Sequence, residues 1–124
     1  MRLLLDTHVF LWWGGDSGKL KAEARRRING AEEVFVSAAS AWEVSIKVAL
    51  GKLRLRIPFL DAVTESGFSP LPVDFAHAEA VKDLPRLHTD PFDRMLVAQA
   101  RVEQLQLVSQ DRELARYSVL FLPA

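Results

Sequence analysis

The chain has 124 residues, 49% of them hydrophobic, 26% charged and 9% aromatic. That length fits one domain, against a prior of roughly 150 residues per domain, and the composition excludes disordered, collagenous and low-complexity chains. Sixteen basic and 16 acidic residues cancel, which excludes a coat of basic charge for nucleic acid but not a local basic rim. No cysteine is present, so disulfides, thiolate zinc sites, iron–sulfur clusters and cysteine nucleophiles are all excluded. The opening apolar run is interrupted by Asp6 and His8, and no run approaches the ~18 apolar residues that span a bilayer. The expectation is a cytoplasmic chain with no membrane segment, organised as one domain over residues 1–124.

Apolar strand-like runs alternate with helical patterns, the signature of an α/β fold with a mostly parallel sheet. Residues 2–5 read as a buried strand and 9–13 as a short apolar helix. Residues 14–18 read as a turn. Leu20, Ala24, Ile28 and Ala31 fall at helical spacing, with Gly30 as the stop. Residues 34–37 are a second strand. Residues 38–50 are a helix with Trp42, Ile46, Ala49 and Leu50 on one face and Gly51 as its C-cap. Residues 52–57 alternate basic and apolar side chains. Helices are expected over 59–66 and 75–84. Residues 68–73 contain two prolines and make an edge strand at best. Residues 91–104 read as a buried helix, 105–109 and 119–122 as strands, and 112–117 as a short helix.

Several motifs fail. Residues 14–19 imitate a phosphate-binding loop, but one residue is missing between the glycines and Leu20 stands where a hydroxyl must meet Mg²⁺. His8, His77 and His88 have no ligand spacing and read as packing or surface residues.

The acids are more informative. In an open parallel sheet, sites form beyond the carboxyl ends of the strands. Asp6 closes the first strand, and Asp111 follows the strand at 105–109. Glu43 lies early in the helix after the second strand. Asp93 lies in the first turn of the helix that opens at Asp90 and Pro91. Each has a plainer use. Asp6, Asp90 and Asp111 can cap helices, and Glu43 can pair with Lys47 one turn on. Their shared place at strand ends is what points to a site. Four converging carboxylates repel one another, and a pair of divalent ions would offset them. All-oxygen donors suit Mg²⁺ or Mn²⁺, and such sites hydrolyse phosphate esters or phosphodiesters.

The motifs resemble those of the PIN-domain ribonucleases, specifically the VapC-type toxins of toxin–antitoxin pairs. Residues 3–13, from Leu3-Leu4-Leu5-Asp6-Thr7, resemble the opening strand with its first acid. Residues 36–47, around Ala41-Trp42-Glu43, resemble the second motif. Residues 88–100, around Asp90-Pro91-Phe92-Asp93-Arg94, resemble the third, and Ser109-Gln110-Asp111 the fourth. The resemblance implies a compact α/β/α sandwich with a central parallel sheet of four or five strands. It implies an endoribonuclease in which Asp6, Glu43, Asp93 and Asp111 hold one or two Mg²⁺ or Mn²⁺ ions and an activated water attacks the phosphorus. It assigns Asp90 to the helix cap. The implied partners are an RNA substrate, a small antitoxin and a second copy of the chain.

An anionic strand approaching an acidic pocket needs cations beside it. Lys52 and Arg54, with Arg56, would line one face of an extended segment, and Arg94 follows Asp93. These are the candidate substrate contacts. Two other classes remain in view. A phosphatase-like Mg²⁺ domain wants an acid two residues after Asp6, where His8 stands. A non-catalytic module would use the acidic pocket only to receive a basic partner.

Overall fold

The computed structural model describes residues 1–15 and 18–124. Five strands form one parallel sheet: β1 (Arg2–Leu5), β2 (Glu33–Ser37), β3 (Ser69–Leu71), β4 (Gln106–Ser109) and β5 (Phe121–Pro123), in the order β3-β2-β1-β4-β5. The helices are α1 (Thr7–Gly14), α2 (Ala22–Gly30), α3 (Ala38–Ala49), α4 (Phe59–Glu65), α5 (Phe75–Ala80) and α6 (Pro91–Glu103). Short 3-10 turns cover Val81–Asp83 and Arg112–Arg116. The proline-bearing β3 takes the edge, where a missing N–H costs no ladder bond.

The central strand shows why the sheet is covered on both faces. Leu3 and Leu5 point into a cluster with Val9, Ala24, Ile28, Val63 and Phe68. Leu4 points the other way, into a cluster with Leu96, Val97, Ala100, Leu107, Leu114 and Tyr117. All three leucines are fully buried. Side chains alternate across a strand, so a continuous apolar run fills two layers at once. The result is an α/β/α sandwich.

Register sets up the site. Leu5 pairs with Val36 of β2 and with Val108 of β4, so the three central strands end level. The backbone N–H of Asp6 donates to the Val108 carbonyl at 3.0 Å, which carries the alignment one residue further.

Some expectations need correcting. The helix at 75–84 stops at Ala80 and continues as the 3-10 turn. In the alternating segment 52–57, which lies outside any helix or strand, Leu55 and Ile57 are exposed beside the basic residues. The apolar face read on α3 points outward: Trp42 and Leu50 are each 63% exposed. Its buried residues are Ala39, Ser40 and Val44, small enough to let α3 lie close to its neighbours. The phosphate-loop imitation includes residues 16–17, which lie outside the described residues. Among those described, no helix is long and apolar enough to cross a membrane.

One backbone feature makes a stability prediction. Gln104 ends α6 in the left-handed region (φ 58°, ψ 49°), a conformation that favours glycine. Gln104→Gly relieves the left-handed cost, less its own entropic cost, and should stabilise the chain by about 0.5–1 kcal/mol. Urea unfolding checks this; a loss of stability would mean that the glutamine side chain contributes more than its backbone costs.

Candidate active site

Asp6, Glu43, Asp93 and Asp111 line one cavity of about 70 Å³, together with Thr7, His8, Asp90 and Gln110. The plainer roles are realised too. Asp6 Oδ1 accepts the Val9 N–H at 2.8 Å and caps α1. Asp90 Oδ1 accepts from Phe92 and Asp93 and caps α6. Asp111 Oδ1 accepts the Glu113 N–H at 3.0 Å and caps the 3-10 turn. Glu43 lies 3.4 Å from the Lys47 ammonium. Capping fixes each Asp backbone at a helix start, and the partial positive charge of the α1 and α6 N-termini faces the pocket.

Hydroxyls tie the acids together. Thr7 Oγ1 donates to Glu43 Oε1 at 2.7 Å and lies 2.8 Å from Ser40 Oγ. Ser109 Oγ donates to Asp6 Oδ2 and accepts the Asp111 N–H at 3.0 Å. Ser109 is completely buried, so this one hydroxyl joins the first and fourth acids. Its place between strand end and acid, two residues before Asp111, is a signal the sequence does carry.

Electrostatically the pocket is strained. Burial raises the Asp6 carboxyl above the usual range, against the Ser109 and Val9 hydrogen bonds, which favour the anion. Burial also pushes Asp93 up to about 7; Asp90 adds to the rise, His88 opposes it, and Asp6 and Glu43 add further. A buried carboxyl held up to about 7 among other acids belongs to a donor set that a divalent cation would relieve. The donors are oxygen, as hard cations require.

His88 is the residue that sequence reading missed. It is no bystander: Nε2 lies 2.9 Å from Asp111 Oδ2 and 3.6 Å from Asp93 Oδ2. The contact spans 23 residues of chain, and no local spacing announces it. His77 is a buried packing residue, bonded to Glu103 at 2.7 Å, and His8 is exposed at the cavity rim.

The basic candidates are not gathered at the acids. Arg94 donates to the carbonyls of Pro85 and Val81, at 2.9 and 3.2 Å, and pins the turn before α6. Arg54 and Arg56 line a separate groove with Phe10, Leu11 and Phe59, and Lys52 is exposed. A larger apolar groove runs past Trp42 and Phe92, whose rings meet edge to face at 5.1 Å. These are the chain neighbours of Glu43 and Asp93.

Comparison with known proteins places the arrangement. Residues 3–120 match the PIN domain family. Ribonuclease VapC22 of Mycobacterium tuberculosis is 31% identical over 119 residues, covering 90% of this chain and 88% of the relative. The crystal structure of VapBC2 from Rickettsia felis, bound to a DNA fragment from their promoter, superposes with a TM-score of 0.75 at 12% identity, over 100% of this chain and 99% of that one. A toxin-antitoxin complex from Klebsiella pneumoniae superposes with a TM-score of 0.60 at 17% identity, over 89% and 87% of the two chains. At those identities the structures establish the fold, and the family rests on the sequence matches. The chain belongs to the PIN domain family, in its VapC branch.

Proposed function

We propose that the chain is a divalent-metal-dependent endoribonuclease and the toxin of a toxin–antitoxin pair. The observation that carries this reading is the crowding of Asp6, Glu43, Asp93 and Asp111 around one small cavity at the level ends of β1, β2 and β4. The ribonuclease relative and the toxin-antitoxin complex support the substrate class and the partner. Asp6, Glu43 and Asp93 would hold Mg²⁺ or Mn²⁺, with Asp111 as the fourth acid. The single domain spans the chain.

A divalent cation held by these acids would supply charge neutralisation for phosphoryl oxygens and would lower the pKa of water toward neutral pH. The protein's part is placement. Thr7 aims Glu43, Ser109 aims Asp6, and the α6 cap aims Asp93. Lys52 and Arg54 are the basic residues left to meet the RNA backbone, since the Arg94 guanidinium is spent on backbone carbonyls. The exposed apolar row of α3, Trp42, Ile46 and Leu50, is the kind of surface a second copy or an antitoxin covers.

The test is cleavage of total cellular RNA by the chain purified free of partner, with Mg²⁺, with Mn²⁺ and with EDTA, and with Asp93→Asn in parallel. Discrete fragments that need metal and vanish in the variant support the reading. Fragments that persist in EDTA would refute metal dependence.

Ser109 offers a finer prediction. Ser109→Ala leaves Asp6 without its hydroxyl donor and frees the Asp111 N–H. Such outer contacts are typically worth 10–100-fold, so Mn²⁺ affinity should fall by about that factor. Calorimetric titration measures it, and an unchanged affinity would place Asp6 outside the metal's reach.

A further inference from the structure

His88 is held by its other ring nitrogen. Nδ1 accepts the backbone N–H of Asp90 at 3.1 Å. A ring nitrogen that accepts carries no proton, so the proton of the neutral imidazole sits on Nε2. Nε2 then donates to Asp111 Oδ2 at 2.9 Å and leans toward Asp93 Oδ2 at 3.6 Å. Binding a metal through Nε2 would require the proton on Nδ1, pointed at the Asp90 N–H, with two donors facing each other.

We propose that His88 is a positioning residue that stands where a second cation would stand. Its N–H lies between Asp111 and Asp93, fixes Asp111, and leaves one divalent position, on the side of Asp6, Glu43 and Asp93. Asp111 is then satisfied without metal, since its other oxygen already accepts the Glu113 N–H. The same backbone N–H of Asp90 that selects the tautomer belongs to the residue capping α6, so the ring orientation and the placement of Asp93 are set together. This inference rests on the metal-holding reading above.

The experiment uses the full chain and Mn²⁺ as the probe. Calorimetric titration counts bound ions, and electron spin-echo spectroscopy detects a nitrogen bonded directly to Mn²⁺. The wild-type chain should bind one Mn²⁺ with no directly bonded nitrogen. His88→Ala should bind a second Mn²⁺ between Asp111 and Asp93. His88→Gln, whose amide N–H can reach the same carboxylates, should stay at one; a merely structural role for His88 would not divide the two variants this way. His8→Gln controls for the other histidine at the cavity. Two ions in the wild type overturn the proposal, as does a directly bonded nitrogen lost in His88→Ala and kept in His8→Gln, or a count of one in folded His88→Ala. Each of these leaves the metal-dependent reading standing, whereas no binding by the wild type overturns both. If His88→Ala does not fold, the wild-type count and nitrogen signal decide.

Discussion

Asp93→Asn is expected to abolish metal-dependent RNA cleavage while raising the stability of the metal-free chain. The substitution keeps the shape of the side chain and leaves the Asp90 cap of α6 in place. It removes one charge from a pocket lined by five carboxylates, Asp90 among them. Loss of a group that holds and orients the catalytic charge typically costs two to three orders of magnitude, and here a fall of about 10³-fold in cleavage rate is expected. The same deletion removes repulsion that the folded chain must bear. Melting of the metal-free protein should therefore move upward as activity disappears. A variant that cleaves at the wild-type rate would remove Asp93 from the site; one that melts lower would show that its charge is not a burden on the fold.

The sign of the pH dependence follows from the same group. Asp93 is raised from 3.8 to about 7 by burial first and by Asp90 next. Between those values the folded chain holds a proton that the unfolded chain has released. Stability therefore falls as pH rises through that window, and the loss is complete above about 7. Metal-free protein should melt at higher temperature at pH 5 than at pH 8. Asp6 contributes in the same direction, since burial raises it too. In Asp93→Asn the slope should flatten. Saturating divalent metal should reverse the trend, because a ligand that binds only the folded state stabilises it, and protons compete for the same oxygens as pH falls.

The sheet and the acids were legible in the sequence for physical reasons. Strands buried on both faces read as unbroken apolar runs, and parallel strands put the residue after each run at one edge. That is why the sequence places Asp6, directly after β1, and Asp111, two residues past β4, at that edge. What was not legible depends on tertiary contact. An apolar stripe on α3 says that one face is greasy, not that the face is covered. The packed face uses Ala39 and Ser40, which carry no such signal. Arg94 is next to Asp93 in sequence, but one residue on a helix turns the side chain by about 100°. It meets the Val81 and Pro85 carbonyls instead. His88 reaches Asp111 only because the chain before α6 and the turn after β4 fold onto each other.

Leu107→Ala should be the most destabilising of these substitutions, and it separates fold from chemistry. Leu107 is fully buried on β4, beside Leu4 of β1 and Phe121 of β5 in register. It belongs to the cluster with Leu96, Leu114 and Tyr117 that closes one face of the sheet. Truncation removes transfer energy and leaves a cavity that strands bonded on both sides cannot collapse to fill. The expected loss is about 3–5 kcal/mol, a large part of a typical domain stability of roughly 5–15 kcal/mol. In urea the midpoint should fall with little change of slope, since the surface exposed on unfolding is nearly the same. Yet Leu107 does not line the acidic cavity, and Ser109 and Asp111 lie beyond it at the strand end. Cleavage per folded molecule, measured well below the melting transition, should stay near wild type, the reverse of Asp93→Asn. A loss under about 1 kcal/mol would mean that the site relaxes freely. A loss of activity beyond the folded fraction would mean that the acids depend on the packing of β4 as well as on their caps.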